Sequence, residues 1–221
     1  MADAATLAAW RDLVRTRTTP APVALVPEIT TYQATEITPL WHATSAELHR
    51  YDASPFWAFP WAGGQALARH LLDHPEVVRG LRVLDFATGS GLVGIAAALA
   101  GDARVVGADV APFCEAVVPM NCELNGVALE LRLDDLLGRP LDGFDLVLAG
   151  DVFYEQPLAS RSVAWFHQLA AQGVRVLAGD PGRLYTPRGG FRDLARYEVP
   201  VSREIEERPM MFTWVLEVAP A

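Results

Sequence analysis

Val83-Leu84-Asp85-Phe86-Ala87-Thr88-Gly89-Ser90-Gly91 is the stretch on which the fold turns. An apolar run from Leu81 to Phe86 leads into it and an alanine-rich run over 91–100 leads out, which predicts a strand, a tight turn and a helix. Glycines at 89 and 91 let the backbone turn sharply and approach a ligand where any Cβ would collide. Outward from this unit, strands are predicted over Arg104 to Asp109, Leu129 to Leu133, Phe144 to Ala149 and Val174 to Ala178. Helices are expected between them over 112–125 and 157–171, with Pro119 kinking the first. Strands alternating with helices build a parallel sheet covered on both faces. Past the loop Gly179-Asp180-Pro181-Gly182-Arg183 the pattern changes. Residues 192–200 and 210–218 alternate apolar with polar and read as antiparallel partners at the end of the sheet.

Toward the N-terminus, Leu7, Trp10, Leu13 and Val14 stand at helical spacing in an amphipathic helix over 2–18, ended by Thr19-Pro20-Ala21-Pro22. Residues 28–37 are β-branched and read as a strand or extended arm. The aromatic cluster Pro55-Phe56-Trp57-Ala58-Phe59-Pro60-Trp61 then precedes Gly63-Gly64 and a helix to about residue 73. This gives an N-terminal helix and arm over 1–54 and a main domain over 55–221.

A chain of 221 residues suits one domain with a real core and a small appendage. With 27 acidic residues against 18 basic ones, the net charge of −9 disfavours attraction to phosphate backbones or anionic lipid, so a macromolecular partner is expected to be protein. No apolar run reaches the ~20 residues that span a bilayer. Arg11, Arg15 and Arg17 would suit a mitochondrial presequence, but Asp3 and Asp12 count against one, and the expectation is an ordinary helix in a cytoplasmic protein. Cys114 and Cys122 lie eight residues apart in one predicted helix, about 12 Å by helical rise and beyond disulfide reach, as buried thiols in a reducing compartment would be. His42, His49, His70, His74 and His167 show no metal spacing, and no metal is expected.

Gly89-Ser90-Gly91-Leu92-Val93-Gly94 also satisfies the dinucleotide pattern. Two features turn the reading toward S-adenosylmethionine. Asp85 intervenes four residues before Gly89, where a carboxylate would repel pyrophosphate but could order the loop and receive a cationic amino-acid end. In addition, some 80 residues precede the motif, whereas a dinucleotide domain more often opens the chain. Asp109 follows Gly91 by 18 residues, a spacing that suits ribose hydroxyls or, alternatively, a plain strand-end turn. Asp134 and Asp135 follow the third strand, where one would accept from an adenine amine or cap the next short helix. Asp151 follows the fourth strand with Tyr154 beside it, facing the reacting atoms or, alternatively, capping the next helix.

Asp151-Val152-Phe153-Tyr154 matches the Asp-x-x-Tyr signature of the family-16 protein lysine methyltransferases. The run Phe56 to Leu67, Asn121-Cys122-Glu123-Leu124-Asn125 and Gly179-Asp180-Pro181-Gly182-Arg183 resemble the branch that methylates the β subunit of electron transfer flavoprotein, over roughly 30–218. The resemblance implies an α/β fold of the Rossmann-like, seven-stranded class I methyltransferase type, with a mostly parallel sheet, an antiparallel C-terminal strand and helices on both faces. It implies S-adenosyl-L-methionine as cofactor and a lysine of that β subunit as acceptor. By position, Asp85, Gly89 and Gly91 would surround the methionine moiety, Asp109 would hold the ribose and Trp61 would lie near the cofactor, while Asp151 and Tyr154 would shape a lysine channel. The chain departs from the family's Leu-Gly-Ser-Gly run with Phe86-Ala87-Thr88-Gly89. Phe56, Trp57 and Tyr154 would desolvate the amine; the alternative for the aromatic cluster, Phe56 and Phe59 above all, is to close the core over the sheet edge. Arg183 either pairs with Asp180 or touches the substrate. The alternatives are another protein side chain or a small molecule as acceptor, a silent cofactor-binding interaction module, or an NAD-dependent oxidoreductase.

Overall fold

Val83 and Leu84 are neighbours in sequence and belong to different cores. Successive strand residues point to opposite faces, so a sheet covered on both sides divides its apolar residues between two clusters. Leu146 and Leu148 pack with Val83 and Val105, whereas Val147 and Ala149 pack with Leu84 and Val106.

The computed structural model describes residues 2–34, 37–48, 54–101, 103–202, 206 and 208–219. Helix α1 (Ala4–Arg17) leads into β1 (Thr19–Val23) and β2 (Val26–Gln33), and α2 (Ile37–Leu48) and α3 (Ala62–Asp73) follow. The main alternation is β3 (Arg82–Phe86), α4 (Leu92–Gly101), β4 (Arg104–Ala108), α5 (Cys114–Asn125), β5 (Glu130–Arg132), β6 (Leu146–Gly150), α6 (Leu158–Ala171) and β7 (Arg175–Asp180). The antiparallel pair β8 (Phe191–Pro200) and β9 (Met210–Val218) closes it.

The seven strands lie in the order β5-β4-β3-β6-β7-β9-β8. The first five pair in parallel, and β9 slots antiparallel between β7 and β8. The expected sheet is therefore present. Its α3, α4 and α5 face carries the larger cluster, and α6 with Leu136, Leu137, Leu141 and Phe144 covers the other. Strand β7 runs two residues past its expected end because Gly179 and Asp180 pair with Val215 and Trp214 of β9.

Two N-terminal expectations are corrected. The segment Thr19-Pro20-Ala21-Pro22 does more than end a helix: it forms β1, paired antiparallel with β2. Prolines at i and i+2 leave their missing donors on one edge, which an edge strand tolerates. Helix α2 was not expected. Pro39 in its first turn is compatible with helix entry, and Leu40 and Thr44, one turn apart, are both buried. Residues 35 and 36 of the expected arm and His49 lie outside the described residues. Helix α5 continues through Pro119. No helix among the described residues is long and apolar enough to cross a membrane.

Candidate active site

The turn after β3 is built around Asp85, 1% exposed. Its Oδ2 accepts from the Gly94 N–H at 2.9 Å and from the Thr88 hydroxyl. Ala87, Gly89 and Gly91 adopt φ of +55°, +54° and +83°. Two of these three left-handed positions are glycine, which accepts such φ without steric cost, and Ala87 carries the residual strain. Burial pushes the Asp85 carboxyl up to about 7, against the Thr88 and Gly94 hydrogen bonds.

Neighbouring elements strap this loop down. Asp109, past the end of β4, accepts from Gly89 N–H through Oδ2 and from Ala111 N–H through Oδ1, both at 2.8 Å. Burial raises its carboxyl, and these N–H groups oppose the rise. The Cys114 thiol donates to the Gly89 carbonyl at 3.3 Å, and the Asn121 amide donates to Ser90 O at 2.8 Å. Beyond β5, Asp134 pairs with Arg132 at 2.9 Å, and Asp135 closes its own turn by accepting from Leu137 N–H at 3.0 Å.

Across the sheet, Asp151 follows β6 at φ +56° and is 7% exposed. Its Oδ1 lies 2.8 Å from Arg183 Nε and 2.7 Å from Nη2, and Oδ2 accepts the Gly63 N–H at the start of α3. The Arg183 guanidinium also grips Glu206, Nη1 to Oε2 at 2.8 Å, and lies over the Trp61 ring at 5.7 Å. Asp180 does not pair with that guanidinium. Its Oδ1 shapes the loop instead, accepting from the Gly182 and Arg183 N–H groups and the Thr186 hydroxyl. Burial pushes Asp151 up to about 6; Arg183 lowers it and Asp180 raises it. Tyr154, raised chiefly by burial, meets Phe56 edge-on at 5.6 Å, and Phe56 meets Trp61 in the same manner.

One cleft of about 930 Å³ joins these groups, lined by Trp61, Asp85, Gly89, Asp109, Asp134, Asp135, Asp151 and Tyr154. Gly91 sits beneath the loop, where a Cβ would meet Val118 Cγ1 at 3.3 Å. Phe56, Trp57 and Phe59 also line the cleft, with Trp57 and Phe59 deeply buried and Phe56 exposed. The sequence reading missed Val110, an exposed apolar residue beside Asp109 in the cleft, although an apolar residue directly after a strand-end acid is a usable signal. It also missed Glu206, which no local pattern marks.

The family model for the ribosomal protein L11 methyltransferase (PrmA) matches residues 66–151. The electron transfer flavoprotein β subunit lysine methyltransferase of Danio rerio is 43% identical over 67% of this chain and 60% of its own length. The Mus musculus protein of the same name is 35% identical over 79% of this chain and 71% of its own. The chain thus spans about two thirds or less of several such relatives, 54% in the rat protein. Magnesium protoporphyrin IX methyltransferase from Synechocystis superposes with a TM-score of 0.52 at 19% identity, over 71% of this chain and 80% of that one. The fold is accordingly the seven-stranded class I methyltransferase fold. Similarity of this extent to the mouse protein, together with that fold, makes the chain a member of the electron transfer flavoprotein β subunit lysine methyltransferase family.

Proposed function

We propose that the chain transfers a methyl group from S-adenosylmethionine to a lysine ε-amine of the electron transfer flavoprotein β subunit. The observation that carries this reading is that Asp85, Asp109, Asp134 and Asp135 line one cleft together with Gly89 of the glycine loop. A pyrophosphate there would meet four acids, whereas a sulfonium and an ammonium are attracted to them. The residues fit the cofactor in other respects. Nothing closer than Trp57 Cα at 3.9 Å stands where a Gly89 Cβ would be, which leaves the loop open to close approach. Asp109 and the exposed Val110 line the cleft, where a carboxylate suits ribose hydroxyls and an apolar side chain suits a flat base, and Trp10 stacks on Phe113 of the same lining.

S-adenosylmethionine, when bound, supplies a methyl group made electrophilic by the positive sulfur. The chain's own residues must then bring a neutral, oriented amine to it, so positioning and desolvation supply most of the acceleration. A lysine amine is protonated near neutral pH and must first lose its proton, with water as acceptor. Asp151 then accepts one N–H and fixes the direction of the nitrogen lone pair. A carboxylate by itself would hold the amine as ammonium, and the low-polarity rim of Phe56, Trp61 and Tyr154 opposes that by excluding water. The nitrogen keeps both of its protons through the transfer and gains the positive charge, and the resulting methylammonium releases one proton to solvent.

The test is transfer of tritium from labelled S-adenosylmethionine to the purified β subunit. Wild type is expected to label it, and Asp151→Ala to lower the rate by at least about 100-fold. Equal labelling by the variant would remove Asp151 from the mechanism. The L11 methyltransferase match is confined to 66–151, so ribosomal protein L11 is the comparison acceptor in the same assay. Two buried free thiols and a net charge of −9 support a reducing, cytoplasmic setting and a protein acceptor in preference to nucleic acid.

A further inference from the structure

Asp151 has an acid's worst surroundings and one compensating cation. It is buried, and Asp180, the next strand-end residue along the sheet, brings a second carboxylate beside it. The charged groups beside it are Asp180 at the end of β7 and Arg183 beyond it, with Glu206 before β9 on the far side of the guanidinium; Tyr154 and Glu155 of its own loop and Asp85 and Asp109 line the same cleft. From α3 it receives only the Gly63 N–H. Arg183 is thus the one cation placed on Asp151 among the described residues: its Nε donates to Oδ1 at 2.8 Å, and its Nη2 lies 2.7 Å from the same oxygen. Glu206 takes the outer edge of the same guanidinium, at 2.8 and 2.5 Å, and Trp61 lies under its plane.

We propose that Arg183 is a positioning residue that acts through Asp151: its guanidinium keeps the carboxyl ionised and fixed in orientation, and Glu206 sets how much of the guanidinium's charge Asp151 receives. This rests on the lysine-methylating reading of the site. Its chemical consequence is direct. An ionised Asp151 can only accept from the amine, leaving the nitrogen lone pair free for the methyl carbon. A protonated Asp151 would hand its proton to a free amine, and the resulting ammonium has no lone pair with which to attack. The largest effect lowering the Asp151 carboxyl is Arg183, and even so burial leaves it up at about 6, so little margin remains below neutrality.

The test combines two readouts. In the cofactor-free protein, ¹³C-labelled aspartate carboxyls are titrated by NMR, with the Asp151 signal assigned by its loss in Asp151→Asn. Arg183→Gln is expected to raise the Asp151 midpoint by at least about one unit, which is a tenfold change in its ionisation equilibrium. Glu206→Gln is expected to lower that midpoint, and Arg183→Lys to fall between wild type and Arg183→Gln. Opposite shifts from the two charge-removing variants are not what general loosening of the site would produce. With a one-unit rise from about 6, methylation of the β subunit by Arg183→Gln is expected to fall about twofold at pH 7 and about fivefold at pH 6, and to match wild type at pH 9. A midpoint that stays put in both Arg183→Gln and Glu206→Gln would overturn the proposal, as would a methylation loss that is the same at every pH. If Arg183→Gln does not fold, the Glu206→Gln shift decides alone. If wild type methylates nothing, the lysine reading fails, and the carboxyl titration still decides what Arg183 does to Asp151.

Discussion

Gly63 and Gly179 touch backbone to backbone under the site. A Cβ on Gly63 would lie 2.1 Å from Gly179 O and 2.6 Å from Asp151 Oδ2, and one on Gly179 would lie 2.0 Å from Gly63 O. The nearest obstacle in each case is a backbone carbonyl, so Gly63→Ala is expected to cost roughly 2–3 kcal/mol in urea unfolding, with methylation falling as the Asp151 side chain is pushed aside. Asp85 gives a prediction of pH dependence. Its carboxyl ordinarily titrates near 3.8 and is held up at about 7 in the folded chain, so between those values the folded state keeps a proton that the unfolded state has lost. Stability from this group is therefore full below about pH 4 and is lost as pH rises toward and through 7. Urea midpoints at pH 5 and 8 should fall more for wild type than for Asp85→Asn, which still accepts from Thr88 and Gly94. Parallel behaviour of the two would place the Asp85 titration elsewhere.

At the scale of elements, α5 is the strap between the N-terminal hairpin and the glycine loop. Asn121 and Asn125 stand one helical turn apart and so share a face. Asn121 accepts from Tyr32 N–H at 2.8 Å and donates to Ser90 O, while Asn125 accepts from Thr30 N–H at 2.9 Å and returns a bond to Thr30 O at 2.7 Å. The amides satisfy the edge of β2 that β1 leaves bare. Asn121→Ala strands the Tyr32 donor and the Ser90 acceptor, at roughly 1–3 kcal/mol for each group left buried. Hydrogen exchange at the Tyr32 amide should quicken selectively in that variant, and unchanged protection would contradict the strap. A second brace is aromatic: Trp10 of α1 stacks on Phe113 at 5.0 Å, and Phe113 on Trp57 at 5.6 Å. Quoted as a motif in the sequence, Asn121-Cys122-Glu123-Leu124-Asn125 carried no hint of this role, because its partner strand lies some 90 residues away.

Across the whole molecule, a ligand that binds only the folded chain stabilises it by mass action, about 2.7 kcal/mol at 100 times its Kd. At about 2–4 °C per kcal/mol for a chain of this size, saturating S-adenosylmethionine should raise Tm by roughly 5–11 °C. NADH at the same concentration should leave Tm unchanged, and a shift with NADH alone would return the glycine loop to the dinucleotide class. The sequence by itself determined the order of strands and helices from residue 81 onward and the sites of the acids that end β3, β4 and β6. These are local matters, set by apolar periodicity and by glycine's tolerance of left-handed turns. Hairpin β1–β2 and helix α2 were not legible in that way, since prolines and an unremarkable composition take their conformation from what they pack against. Only the tertiary structure decided that Arg183 reaches Asp151 instead of Asp180, that Glu206 shares it, and that Gly63 must have no side chain. Such pairings join residues 23 to 116 positions apart, and a local pattern carries no information about which distant surface closes over it.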